Sequence, residues 1–118
     1  MEKDSYYYYQ IGIQYLERGE IEQAIINLEK SISLKNHFKT YQILHECYMK
    51  VGKDEQSYHY IYLAYCENPR NDKVAFLYAK ALFQKKDIVA SKKIVNEILE
   101  RNTSYLPAVR LLEEIECR

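Results

Sequence analysis

Residues 8–34 read YYQIGIQYLERGEIEQAIINLEKSISL, and this stretch decides the fold. Two segments with apolar residues at helical spacing flank a break at Gly19. The first carries Tyr8, Ile11, Gly12 and Tyr15, and the second carries Ile21, Ala24, Ile25, Leu28, Ile32 and Leu34. So short a break predicts a hairpin of two helices, with Ser5 as the cap of the first. Gly12, Ala24 and Ser31 are small enough to let the two backbones approach closely.

The same skeleton returns further along the chain. Tyr41 stands 33 residues after Tyr8, and this second copy continues with Leu44, Tyr48, Gly52, Ser57, Ile61 and Ala64. The third copy, again displaced by about one repeat length, contains Ala75, Ala79, Leu82, Lys86, Ser91, Val95 and Ile98. Here Lys86 replaces the turn glycine, and Asp87 is placed to cap the next helix. A last amphipathic segment, with Tyr105, Val109, Leu112 and Ile115 on one side, predicts a helix that covers the third hairpin.

Each copy resembles a tetratricopeptide repeat (TPR), a 34-residue helix-turn-helix unit with an aromatic residue, a small residue and a tyrosine in its first helix. The first copy supplies Tyr8, Gly12 and Tyr15 at those positions. The resemblance implies an all-α fold, a right-handed α-solenoid of three hairpins plus a capping helix, seven helices in all. We expect one domain over residues 1–118, with repeats at about 5–37, 38–71 and 72–105 and the capping helix at about 105–117.

Composition sets further limits on the function. The 118 residues contain 17 basic and 17 acidic side chains, so no net charge attracts nucleic acid or an anionic membrane. The two acids near the start and the short uncharged runs lead us to expect neither a secretory signal nor a membrane-spanning segment. The 3 cysteines have no zinc-binding or disulfide-framework spacing, which predicts a reducing, cytoplasmic location.

Motifs for catalysis, metal binding and nucleic-acid binding are not found. His45 and Cys47 are two residues apart on a helix and therefore point in nearly opposite directions, so they cannot act as a base and nucleophile. We expect Cys47 to be a small packing residue, and we expect no enzymatic activity, cofactor or metal. Lysines cluster in the third copy, but Asp72 and Asp87 dilute them and a solvated face explains them better than RNA binding.

A second stripe of mostly apolar and aromatic residues, on the first helix of each hairpin, predicts the binding surface. In TPR folds these helices line the concave wall. The predicted partner-binding groove consists of Tyr6, Tyr9, Ile13, Leu16, Gln42, Glu46, Met49, Lys73, Phe76, Lys80 and Phe83. It is mostly apolar and aromatic, which favours a peptide or helix of another protein as the ligand. The alternative is self-association with a second copy through the same groove or the N-terminal helix.

Some of these groove residues also fit positions in the core. Apolar periodicity alone does not distinguish a groove residue from a core residue, so Tyr9, Ile13, Leu16, Phe76 and Phe83 could instead pack against neighbouring helices.

The best-known ligand mode of the family is a clamp of Lys, Asn and Arg side chains that binds the terminal carboxylate of a chaperone tail. The positions matched to it here are Tyr9, Ile13, Ile43, Lys73 and Leu77. Because only Lys73 fits, we expect no binding of that kind.

Overall fold

The computed structural model describes residues 3–117, which form seven α-helices. Their bounds are α1 Ser5–Glu17, α2 Ile21–Leu34, α3 Phe38–Lys50, α4 Asp54–Glu67, α5 Asp72–Gln84, α6 Ile88–Arg101 and α7 Leu106–Glu116. Helix α1 packs on α2, α3 on α4, and α5 on α6, while α7 packs on α6 and α5. The predicted all-α fold of three hairpins and a capping helix is confirmed.

The chain groups into two compact units, residues 1–67 and 68–118. The first unit contains the hairpins α1–α2 and α3–α4, and α2 also packs on α3. The second contains the hairpin α5–α6 together with α7.

All three hairpins turn in the same way. Gly19 and Gly52 have φ angles of +78° and +76°, in the left-handed region that glycine adopts without steric cost. In the first turn the N–H of Glu20 donates to the carbonyl oxygen of Tyr15 at 2.9 Å, and the other two turns repeat this bond. Lys86 takes the glycine's place in the third turn with a φ of 70°. The backbone conformation is thus kept although its preferred residue is lost.

Helix α1 lies close against α2 at Gly12. A Cβ atom added at Gly12 would lie 2.7 Å from Cγ and 2.8 Å from Cδ2 of Leu28, distances that side chains essentially never show. Ala24 and Ser31, the other two small residues predicted at this interface, are both buried. The close approach predicted from their size is therefore confirmed.

The helix caps agree with the sequence in one case and differ in another. Asp87 caps α6 as predicted, since its Oδ1 accepts the N–H of Ala90 at 3.3 Å. The prediction that Ser5 caps α1 is wrong, because Asp4 holds that position and its Oδ1 accepts the N–H of Tyr7 at 2.9 Å. Ser5 is the first helical residue, and its carbonyl oxygen accepts the hydroxyl of Ser31 at 2.7 Å. Ser5 therefore ties α1 to α2.

The core of the first unit includes a cluster of Ala24, Ile25, Leu28, Leu44, Cys47 and Tyr48. Next to it, the Tyr60 ring stacks between Tyr41 and Tyr48, at centroid distances of 6.0 and 5.7 Å. The Glu29 carboxylate accepts hydrogen bonds from the hydroxyls of Tyr48 at 2.6 Å and of Tyr60 at 2.8 Å. Burial and these bonds raise the pKa of both tyrosines. One carboxylate thus joins side chains of α2, α3 and α4.

The second unit buries Val74, Ala75, Ala79, Ala81, Leu82, Ile94, Val95, Ile98, Ala108, Leu111 and Ile115. The stripe predicted for α7 is partly wrong, because Leu111 rather than Leu112 faces the core. Helix α7 has apolar residues on most sides, so two stripes that differ by one position fit the helical period equally well. Packing on α5 and α6 selects the stripe of Ala108, Leu111 and Ile115.

Candidate partner-binding surface

The predicted groove residues of α1 form a mixed surface. Tyr6 is 64% exposed, whereas Tyr9, Ile13 and Leu16 are half-buried. Tyr9 and Leu16 pack against the core of the first unit. Both side chains therefore contribute to the packing of the core, and Tyr6 is the most exposed large apolar side chain of this helix.

Two hollows adjoin α1 and share Tyr6 and Tyr9 as lining residues. The smaller one, about 300 Å³, follows the helix past Gln10 and Ile13 to Gln14. The Tyr6 hydroxyl accepts a hydrogen bond from Nε2 of Gln10 at 2.9 Å, which holds the tyrosine over this surface. Three predicted groove residues, Tyr6, Tyr9 and Ile13, are thereby brought together.

The larger hollow, about 760 Å³, lies where the start of α1, the end of α2 and the start of α3 meet. We call it the junction cleft. Its lining comprises Lys3, Asp4, Ser5, Tyr6, Tyr9, Ser31, Leu34, Lys35, Asn36, His37 and Thr40. Apart from Tyr6 and Tyr9, these residues were not predicted from the sequence. They are mostly polar and come from three separate segments, so no periodic signal connects them.

The groove residues predicted on α3 lie outside both hollows. Gln42 and Glu46 are half-buried, and Met49 is 46% exposed. Met49 is thus an accessible apolar contact, with Gln42 and Glu46 on the same side of the helix at helical spacing.

In the second unit, the predicted groove residues lie on α5. Lys73 and Lys80 are exposed, and Phe76 and Phe83 are half-buried. The Phe76 ring meets Tyr105 edge to face at a centroid distance of 6.4 Å. Burial, together with the charge of Asp72, raises the pKa of Tyr105. Phe76 therefore packs against Tyr105, the residue that precedes α7, in addition to any role in the groove.

His45 and Cys47 have structural roles. His45 Nδ1 donates to the Ser57 carbonyl oxygen at 2.9 Å, and the Ser57 hydroxyl donates to the carbonyl oxygen of His45 at 3.1 Å. Burial lowers the pKa of the imidazole, which is therefore neutral at neutral pH. Cys47 is buried, as predicted for a packing residue, and burial raises the pKa of its thiol. A protonated thiol enclosed in the core is a poor nucleophile.

Within residues 3–117, His, Cys, Asp and Glu side chains do not gather in groups of three or more that could hold a metal ion. None of the helices in this range has the length and apolar character required to cross a membrane.

No protein-family model and no curated protein matches the sequence. Solved structures do match. The first TPR of Spaghetti (RPAP3), bound to the HSP90 peptide SRMEEVD, is similar with a TM-score of 0.81 and 18% identity, over 98% of this chain and 93% of that chain. The chain has the tetratricopeptide-repeat fold. The Sgt2 TPR domain of Aspergillus fumigatus has a TM-score of 0.75 and 20% identity, over 95% of this chain and 76% of that one.

A third TPR structure also carries a peptide. The second TPR domain of human RPAP3, in complex with the HSP70 peptide SGPTIEEVD, has a TM-score of 0.76 and 17% identity. The match covers 92% of each chain. At these identities the likeness concerns the fold.

Proposed function

We propose that this chain is a non-enzymatic protein–protein interaction module, which binds a peptide or helix of a partner protein against the predicted groove. The main support is the pair of adjoining hollows at α1, walled by exposed Tyr6 with half-buried Tyr9 and Ile13. Tyrosine combines a large apolar surface with a polar tip and little conformational entropy, so it suits a protein-binding surface. Both RPAP3 domains have bound chaperone peptides, so this fold can hold a peptide.

We further propose that the ligand is not gripped by its terminal carboxylate. Of the positions matched to the carboxylate clamp, Ile43 packs against the core of the first unit and Leu77 is half-buried. Neither side chain can donate a hydrogen bond, and an unpaired carboxylate beside either of them would lose its solvation. The chaperone peptide SRMEEVD should therefore bind no better than its C-terminally amidated form in titration calorimetry. Tight binding that requires the free terminal carboxylate would overturn this part of the proposal.

Charged residues of the groove would then orient the segment. In the first unit Glu46 on α3 favours a basic residue of a ligand beside it, and in the second unit Lys80 on α5 favours an acidic one. Such rim charges affect specificity and association rate more than affinity.

Affinity capture from the native cell extract tests the proposal. The test variant combines Tyr6→Ala with Met49→Ser, because both residues are exposed and their loss should leave the fold intact. The matched control combines Ile26→Ser with Val89→Ser, which removes exposed apolar side chains outside the predicted groove. We expect the test variant to lose the captured partner and the control to keep it. Equal capture by both variants, with unchanged circular dichroism, would refute the groove assignment.

The alternative function is self-association through the same groove or through α1. Its support is the exposure of Tyr6 and Tyr7, 64% and 39%, at the start of α1. Light scattering over a range of concentrations separates the two proposals. A chain that stays monomeric at high micromolar concentration excludes the alternative, whereas a dimer that Tyr6→Ala dissociates would favour it over capture of another protein.

A further inference from the structure

The junction cleft adds a site of particular chemistry to the predicted groove. Its volume of about 760 Å³ is within the range of pockets that enclose a ligand group. Tyr6, Tyr9 and Leu34 provide aromatic and aliphatic surface, and Tyr6 and Leu34 are 64% and 50% exposed. Large exposed apolar side chains around one concavity indicate a place where an apolar group is taken up.

The charges around the cleft favour an acid on the ligand. Lys3 and Lys35 line it, and Asp4 is the one carboxylate among its described lining residues. Asp4 already accepts the N–H of Tyr7 at 2.9 Å, as the cap of α1. Within residues 3–117, the Lys35 ammonium group has no carboxylate oxygen within 4.0 Å. His37 lies at the start of α3, whose helix dipole also favours negative charge there.

The cleft lies next to the surface of α1. It shares Tyr6 and Tyr9 with the smaller hollow, which continues along the helix past Ile13. An extended chain lying along α1 could therefore place one of its side chains in the cleft. A compact small molecule would use the cleft alone and leave the smaller hollow empty.

We infer that the junction cleft is the anchor pocket for the partner segment, and that it takes one bulky apolar side chain with an Asp or Glu directly beside it. The apolar side chain packs on Tyr6, Tyr9 and Leu34, and the adjacent carboxylate lies near Lys35. The recognised acid is a side chain of an internal segment, so no chain terminus is required. This inference rests on the proposed function, because it names the chemistry of the partner that the groove binds.

The test uses random peptides displayed on phage and selected against the full chain. We expect the recovered sequences to share an aromatic or large aliphatic residue adjacent to Asp or Glu. The strongest peptide is then synthesised with an acetylated N-terminus and an amidated C-terminus, and its affinity is measured by fluorescence anisotropy. These blocked termini exclude recognition of a terminal carboxylate.

Two variants with matched controls locate the peptide. Tyr6→Ala should weaken binding by about tenfold, whereas Tyr7→Ala, next to it but outside the cleft lining, should change it less than twofold. Lys35→Glu should also weaken binding by about tenfold, since it replaces an attraction by a repulsion, and Lys39→Glu serves as its control. When the peptide's acid is changed to its amide, the Lys35→Glu effect should disappear.

The outcomes separate the inference from the proposed function. Peptides that bind tightly but are indifferent to Tyr6→Ala and Lys35→Glu would overturn the anchor pocket while leaving the interaction module intact. Recovery of no binding peptide would contradict the proposed function and the inference with it. An isolated small carboxylate that binds as tightly as the whole peptide would show that the cleft is a small-molecule site and would also overturn the inference.

Discussion

The packing of α1 on α2 makes Gly12→Ala a demanding test of the described structure. In a helix, alanine is normally more stable than glycine by about 1 kcal/mol. Here the new methyl group would lie 2.7 and 2.8 Å from two carbon atoms of Leu28, a side chain with no exposed surface. Overpacking of this kind costs about 1–3 kcal/mol, and with two such contacts we expect the upper part of that range. The net loss of stability should be about 1–2 kcal/mol.

Urea unfolding followed by far-ultraviolet circular dichroism measures this loss. Hydrogen exchange of the α1 and α2 amides should show the same change within the first unit. Leu28→Ala alone should cost about 2–5 kcal/mol by opening a cavity, and Gly12→Ala should be less harmful in that background because its methyl group then has room. A single variant Gly12→Ala that is as stable as the parent chain would refute the close approach of the two helices.

Three further predictions concern the turns and the buried polar groups. Lys86→Gly should stabilise the chain by about 0.5–1 kcal/mol in urea unfolding, because the residue's φ of 70° strains any residue with a side chain. A lower free energy of unfolding would contradict the left-handed conformation of the third turn. Glu29→Gln should lower the pH at which Tyr48 and Tyr60 ionise, measured by ultraviolet absorbance, since the carboxylate helps to raise their pKa. The lowered pKa of His45 means that the unfolded chain takes up its proton first as the pH falls. The contribution of neutral His45 to the free energy of unfolding should therefore be fully present above about pH 6.5 and decrease below it. His45→Gln should make the free energy of unfolding, measured in urea at several pH values, fall less steeply as the pH is lowered.

The fold could be predicted from the sequence because local and repeated signals agreed. The spacing of Tyr8 and Tyr15 returns in the second copy as Tyr41 and Tyr48 and identifies the hairpin, although His45 stands there in place of the small residue Gly12. Helix ends were less certain. Asp4 and Ser5 are both good cap residues, and only the backbone decides which of them precedes the first turn.

The surface was harder to predict than the fold. An apolar stripe on a helix has the same period whether it faces a core or a ligand, so Tyr9 and Leu16 could be read either way. In the structure both pack on the core, while Tyr6 remains open. The junction cleft depends on the meeting of Lys3, Leu34 and Lys35 with α3, and no local pattern encodes such a meeting of distant segments.

Photo-cross-linking at Tyr6 tests the central claim most directly. Tyr6 is replaced by the photoreactive amino acid p-benzoylphenylalanine, which keeps an aromatic ring at the position, and irradiation is carried out in the cells that produce the protein. The same replacement at Val89, which is 84% exposed on α6, is the control. We predict a discrete adduct with a different protein from the Tyr6 position and none from Val89. An adduct with a second copy of the chain, or the same adducts from both positions, would contradict the account.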